Sequence, residues 1–220
     1  MKKYLLFAFA GICTAGTLFI SCQHEPELQP GIPTVCFDEQ VLPVFQTACA
    51  KSGCHDGSGE MFALNDYNSI RNYVQPGKPM ASKLHKVIAA NHNSFNIMPP
   101  KPDEPLIKEQ IDAITLWILQ GANETSCIEV CDSVNVSFKD DIMPMLDNYC
   151  RACHSGSQPQ GKSLLIDYPT VKAVVEGGRF MGAVEHMDGF LPMPQNADKL
   201  SDCNLGMLRK WINDGMPDNK

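Results

Sequence analysis

Cys150-Arg151-Ala152-Cys153-His154 sets two thiols two residues apart, with an imidazole directly after the second. A closed zinc site would need four ligands, and no second Cys-x-x-Cys pair is present to complete one. A thioredoxin-type redox pair belongs in a βαβ setting, and no run of period two is long enough here for a sheet. A disulfide inside the cluster is the remaining alternative to covalent haem attachment. In the haem reading the two thiols add across the two vinyl groups on one porphyrin edge. The adjacent histidine then lies under the iron as its proximal ligand. Cys49-Ala50-Lys51-Ser52-Gly53-Cys54-His55 is the same arrangement with four residues between the thiols. Gly53 is suited to folding the two extra residues back on themselves.

Working outward from these clusters, the chain repeats itself. At an offset of 101, Val35, Phe37, Pro43 and Cys49 meet Val136, Phe138, Pro144 and Cys150. Asp66-Tyr67 likewise meets Asp167-Tyr168, Met80 meets Met181, and His85 meets His186. The register shifts to 95 at Met98-Pro99 and Met193-Pro194. It ends at 94, where Trp117-Ile118 and Gly121 meet Trp211-Ile212 and Gly215. Two domains are expected, over 35–122 and 135–217, joined by a linker over 123–134.

The periodicity within each unit is helical. Val41, Leu42, Val44, Phe45 and Ala48 lead into the first cluster, and Ile142, Met145, Leu146 and Tyr149 into the second. Pro43 and Pro144 fall early enough to sit in a first turn, where proline is tolerated. Ile107, Ile111, Ile114 and Ile118 recur at helical spacing before Gly121. Leu205, Leu208, Trp211 and Ile212 do so before Gly215, with Ser201 as N-cap. The expected fold is therefore mostly α, two small helical domains with long loops. Units of this size bury little apolar surface alone, and a covalently held haem would staple them.

The N-terminus reads differently. Lys2 and Lys3, an apolar run over 4–20 and Ser21-Cys22 have the form of a lipoprotein signal. Residues 1–21 would be removed, Cys22 would be lipidated, and 22–34 would form a tether. The expected location is outside the cytoplasm, lipid-anchored to the inner or outer membrane and facing the periplasm or the cell surface. The net charge of −7 over 220 residues becomes −9 once two lysines and no acid are lost. Such an acidic protein is unsuited to binding nucleic acid through phosphates. Of ten cysteines, Cys13 leaves with the signal, Cys22 takes the lipid and four belong to the Cys-His clusters. Cys36, Cys127, Cys131 and Cys203 remain, an even number in an oxidising compartment. Of their three pairings, Cys36–Cys127 with Cys131–Cys203 closes each repeat on itself.

The repeated Met-Pro supplies the opposite side of each iron. Met98 and Met193 follow their histidines at one relative position in both copies, which favours ligation over ordinary core packing. His85 and His186 also align and are the rival distal ligands. The ligand set expected is His55 and Met98 for one iron, and His154 and Met193 for the other.

With Cys49 to His55 and Cys150 to His154, Ser82-Lys83-Leu84, Met98-Pro99-Pro100, the closing helix through Trp117-Ile118 to Gly121-Ala122 and its second copy at Trp211-Ile212, the chain resembles planctomycete-type cytochrome C. These are cytochrome c-like domains widespread in Planctomycetes and Bacteroidetes. The resemblance spans nearly the whole mature chain and departs from the family in the longer first cluster and in Met193-Pro194-Gln195 for Met-Pro-Pro. It implies the cytochrome c fold, two covalent haem c groups and a methionine opposite each histidine. The expected function is electron transfer between a redox-protein donor and acceptor, not enzymatic catalysis. A haem-stapled binding or scaffold module is the alternative. A two-haem peroxidase is disfavoured, since His/Met ligation leaves no vacant position on either iron.

Overall fold

The computed structural model describes residues 31–127, 134–195 and 197–220. The signal peptide 1–21, the lipidation site Cys22 and most of the tether, together with Cys131, lie outside the described residues. The described chain is mostly helical, without strands, and no described helix is long and apolar enough to cross a membrane.

Eight α-helices follow in order: α1 Leu42–Ala48, α2 Tyr67–Arg71, α3 Lys83–Ile88, α4 Lys108–Leu119, α5 Met143–Tyr149, α6 Tyr168–Glu176, α7 Phe180–Val184 and α8 Asp202–Asn213. Helices α1 and α5 are each preceded by a wide π-type turn, Phe37–Val41 and Phe138–Ile142. The proline of each helix lies in its first turn, where the missing N–H leaves no bond unmade. Helices α2 and α6 begin with the same reciprocal cap. Asp66 accepts from the Ser69 N–H, and Asp167 from the Thr170 N–H, while Ser69 and Thr170 return the favour to the capping backbone.

Helix α4 buries Gln110, Ile114, Trp117 and Ile118, spaced to line one face, and α8 buries Asn204, Leu205, Leu208 and Trp211. Ser201 caps α8, accepting from the Asn204 N–H at 3.1 Å. Both closing helices stop at a glycine in the left-handed region, Gly121 at φ 105° and Gly215 at φ 86°.

The buried side chains form two clusters. One spans Val35 to Ala122 and contains Phe37, Phe45 and Trp117; the other spans Val136 to Trp211 and contains Phe138, Leu146 and Trp211. Their anchoring geometry repeats closely. Phe37 meets Tyr67 edge-on at 5.3 Å and Trp117 at 5.2 Å, and Phe138 meets Tyr168 at 5.2 Å and Trp211 at 5.4 Å. The Tyr67 hydroxyl donates to the Ala122 carbonyl and Tyr168 to the Met216 carbonyl. Trp117 and Trp211 donate their indole N–H to the Asn123 and Pro217 carbonyls, both at 2.9 Å. Every buried polar atom of these aromatic anchors thus has a partner.

Each cluster is also closed by a strap that ties its beginning to its end. Thr125 accepts from the Phe37 N–H through its side chain (2.9 Å) and from the Asp38 N–H through its carbonyl (3.2 Å). Asn219 does the same for Phe138 and Lys139, at 2.9 and 3.2 Å. A Cys36–Cys127 disulfide lies across the first strap, with a Cα–Cα separation of 5.6 Å, inside the relaxed range. Cys203 is also disulfide-bonded; Cys131, the partner expected for it, lies outside the described residues.

The two halves touch along α1 and α5. The Thr47 hydroxyl, which donates to the Pro43 carbonyl at 2.8 Å, lies 3.3 Å from the Asn148 carbonyl. Lys51 Nζ donates to the Ala152 carbonyl at 3.4 Å. Both contacts join positions 101 apart, so each residue meets its own counterpart. That is the signature of a two-fold relation between copies.

Candidate functional site

Each Cys-His cluster hangs from the C-terminal end of a helix. The N–H groups of Cys49 and Ala50 both donate to the Phe45 carbonyl, and those of Cys150 and Arg151 to the Leu146 carbonyl, all at 2.9 Å. In the second cluster the His154 N–H then returns to the Cys150 carbonyl at 3.0 Å. In the first, His55 returns to Cys49 at the same distance despite the two extra residues. Those residues are taken up in a turn, with the Cys54 N–H donating to the Lys51 carbonyl and Gly53 at φ 78°. The unequal spacing therefore ends in one backbone geometry.

The imidazoles are oriented identically. His55 Nδ1 lies 3.0 Å from the Phe62 carbonyl, and His154 Nδ1 lies 3.0 Å from the Ser163 carbonyl. A carbonyl only accepts, so Nδ1 carries the hydrogen in each ring and Nε2 keeps its lone pair. A backbone carbonyl on Nδ1 is also the usual outer partner of a histidine that ligates a metal through Nε2. The backbone is locked one step further on, where the Leu64 N–H donates to the His55 carbonyl and Leu165 to His154, both at 2.8 Å.

In the second half, Cys150, Cys153, His154 and Met193 line one cavity of about 400 Å³, walled by Leu165, Phe180, Val184 and Phe190. A mostly apolar pocket of this size, lined also by the His154 imidazole, the Met193 thioether and Arg179, suits a flat hydrophobic molecule. Met193 is held by its N–H donating to the Ala183 carbonyl, and Met98 by its N–H donating to the Val87 carbonyl, both at 3.0 Å. The Met98–Pro99 and Met193–Pro194 peptide bonds are both cis. Beside His55 stands an aromatic pair, with the Phe62 ring 4.4 Å from the imidazole and stacked on Tyr73 at 4.1 Å.

The rival histidines make hydrogen bonds of their own. His186 is exposed, and its Nε2 donates to the Met193 carbonyl at 3.1 Å. His85 is buried, with Nε2 3.0 Å from Thr115 Oγ1, whose own hydrogen goes to the Ile111 carbonyl.

Cys49, Cys54, Cys150 and Cys153 are all free of disulfides. Burial pushes the Cys49 and Cys150 thiols up to about 12, and burial raises Cys153 as well. Thiols so held stay protonated at neutral pH. The grouping of Cys36, Glu39 and Cys127 has the spacing of a metal site, but both sulfurs are spent in the disulfide.

No family model, curated protein or solved structure matches the chain. The functional reading accordingly rests on its own residues. Sequence reasoning had no access to Ser163 and Phe62 as partners of the two histidines. They act through backbone carbonyls, which any residue supplies.

Proposed function

We propose that this protein is a dihaem c-type cytochrome, an exported lipoprotein anchored through Cys22. It would carry electrons between a redox-protein donor and acceptor at a membrane. The observation that carries the reading is the convergence of Cys150, Cys153, His154 and Met193 on one apolar cavity, with His154 Nε2 left as the basic nitrogen. The two thiols would hold a haem covalently, while His154 and Met193 would ligate its iron. Cys49, Cys54, His55 and Met98 would do so in the first half, in the same backbone frame. A haem held this way supplies one-electron redox chemistry, and a thioether ligand favours its reduced form.

The chain's own contribution is positional. The Ser163 carbonyl fixes the His154 tautomer and the Ala183 carbonyl fixes the Met193 backbone. Two tandem cytochrome c-like domains, the resemblance to planctomycete-type cytochrome C and the location outside the cytoplasm all belong to this proposal.

The test is expression of the full chain with a haem-attachment system, followed by the mass of the denatured mature protein and its visible spectrum. The expected result is the mass of two haems with a c-type spectrum, and of one haem after Cys150→Ala with Cys153→Ala. A protein that carries no covalent haem, or carries zinc in its place, overturns the reading.

A further inference from the structure

The first Cys-His cluster is longer than the second by two residues, and Lys51 within it bridges the two halves. The side chain of Lys51 is only 14% exposed; Nζ pairs with Asp103 at 3.1 Å and donates to the Ala152 carbonyl inside the second cluster. Three further contacts converge on the same place. Cys153 Sγ lies 4.0 Å from the Thr47 carbonyl oxygen. Gln110 Nε2 donates to the Asp147 carbonyl at 2.8 Å. Glu104, in the loop after Met98, packs so closely on Gly156 that a Cβ there would fall 2.7 Å from its carboxylate. Thr47 also lines the cavity of the second half. A fold that merely tethered two independent carriers would have no need to bury a lysine between their attachment loops.

We propose that the two attachment loops form one junction through which an electron passes directly between the two sites, with Thr47 as its link and Lys51 as the positioning residue that holds it. The inference rests on the reading of both clusters as haem sites. The covalent path from Cys49 runs through Ala48 to the Thr47 carbonyl, leaving a single gap of 4.0 Å to Cys153 Sγ. Tunnelling weakens far more across a gap than along bonds, so one short gap is an efficient connection. The step is balanced within the chain. One site gives up an electron, going from ferrous to ferric, and the other gains it, going from ferric to ferrous. No bond breaks and no proton need move. The Lys51 ammonium, buried against both loops, favours the less positive, reduced form of each site.

The experiment uses the full chain loaded with both haems, comparing the wild type with Lys51→Gln, Lys51→Met and the exposed-lysine control Lys139→Gln. The electron paramagnetic resonance of each ferric site is recorded with the other site oxidised and then reduced, alongside a redox titration. In the wild type, reducing one site is expected to change the signal of the other. In both Lys51 variants the reduced-to-oxidised ratio at a fixed ambient potential should fall several-fold at both sites. A tenfold fall corresponds to about 59 mV for a one-electron couple. Lys139→Gln should leave both ratios within about twofold. Two signals indifferent to each other's redox state, or a Lys51 effect confined to the first site, overturns the junction while leaving two haems in place. Absence of covalent haem overturns the functional reading and the junction together. Retention of both haems by mass in the Lys51 variants separates loss of coupling from loss of fold.

Discussion

Replacing Cys36 and Cys127 together by serine opens a closed loop of 91 residues that contains nearly the whole first cluster. In the chain-entropy description, freeing a loop of that length from the unfolded state costs about 4.6 kcal/mol at 25 °C. One feature bears on how much of this is realised. The Thr125 strap survives, since its bonds to Phe37, Asp38 and the Val35 carbonyl use no sulfur. It keeps the native state closed but does nothing for the unfolded one. The expected loss is therefore between about 2 and 4.6 kcal/mol, confined to the first half. Urea unfolding, followed by a probe in each half, would read it as a lower midpoint for the Trp117 half with the Trp211 half unmoved. The slope with denaturant should rise as the unfolded first half becomes more extended. A loss below about 1 kcal/mol, or equal shifts in both halves, would refute the account of the disulfide as a clasp on one unit.

Other predictions follow from the cavity and the caps. Met193→Ala should lower the second site's potential, remove its far-red thioether-to-iron band and open it to carbon monoxide. If His186→Ala produced that open site instead, with Met193→Ala silent, the ligand assignment would fall. Asp167→Ala should cost about 1 kcal/mol at neutral pH through loss of the cap on α6. The Thr170 backbone and hydroxyl hold the Asp167 carboxyl below its ordinary value of 3.8. Its stabilising contribution is thus complete above that value and is lost as pH falls through the depressed one. The difference between wild type and Asp167→Ala should shrink on acidification below about pH 4; a gap constant down to pH 2 would contradict it.

Helical class and repeat were legible because both are written in spacing. The isoleucines before Gly121 mark α4, and Ser201 and Gly215 bracket α8. The short helices α2, α3, α6 and α7 were not legible. Each holds too few turns for a periodic stripe, and they stand through caps and packing rather than pattern. The straps escaped for a chemical reason: Thr125 and Asn219 are different residues that offer the same thing, a side-chain oxygen for one N–H and a carbonyl for the next. The Cys-His motifs and their methionines could be named from the sequence. The junction could not, because Thr47, Lys51 and Gln110 acquire their partners only when one half is laid against the other.

The pairing of Thr47 with Asn148, and of Lys51 with Ala152, is what two separate copies of one domain would make on meeting across a two-fold. As free molecules, such copies would associate to an extent set by dilution. Carried on one chain, each half meets the other at an effective concentration that the connecting segment sets and dilution does not change. The contact between the halves can then stay closed in every molecule, however sparse the protein is.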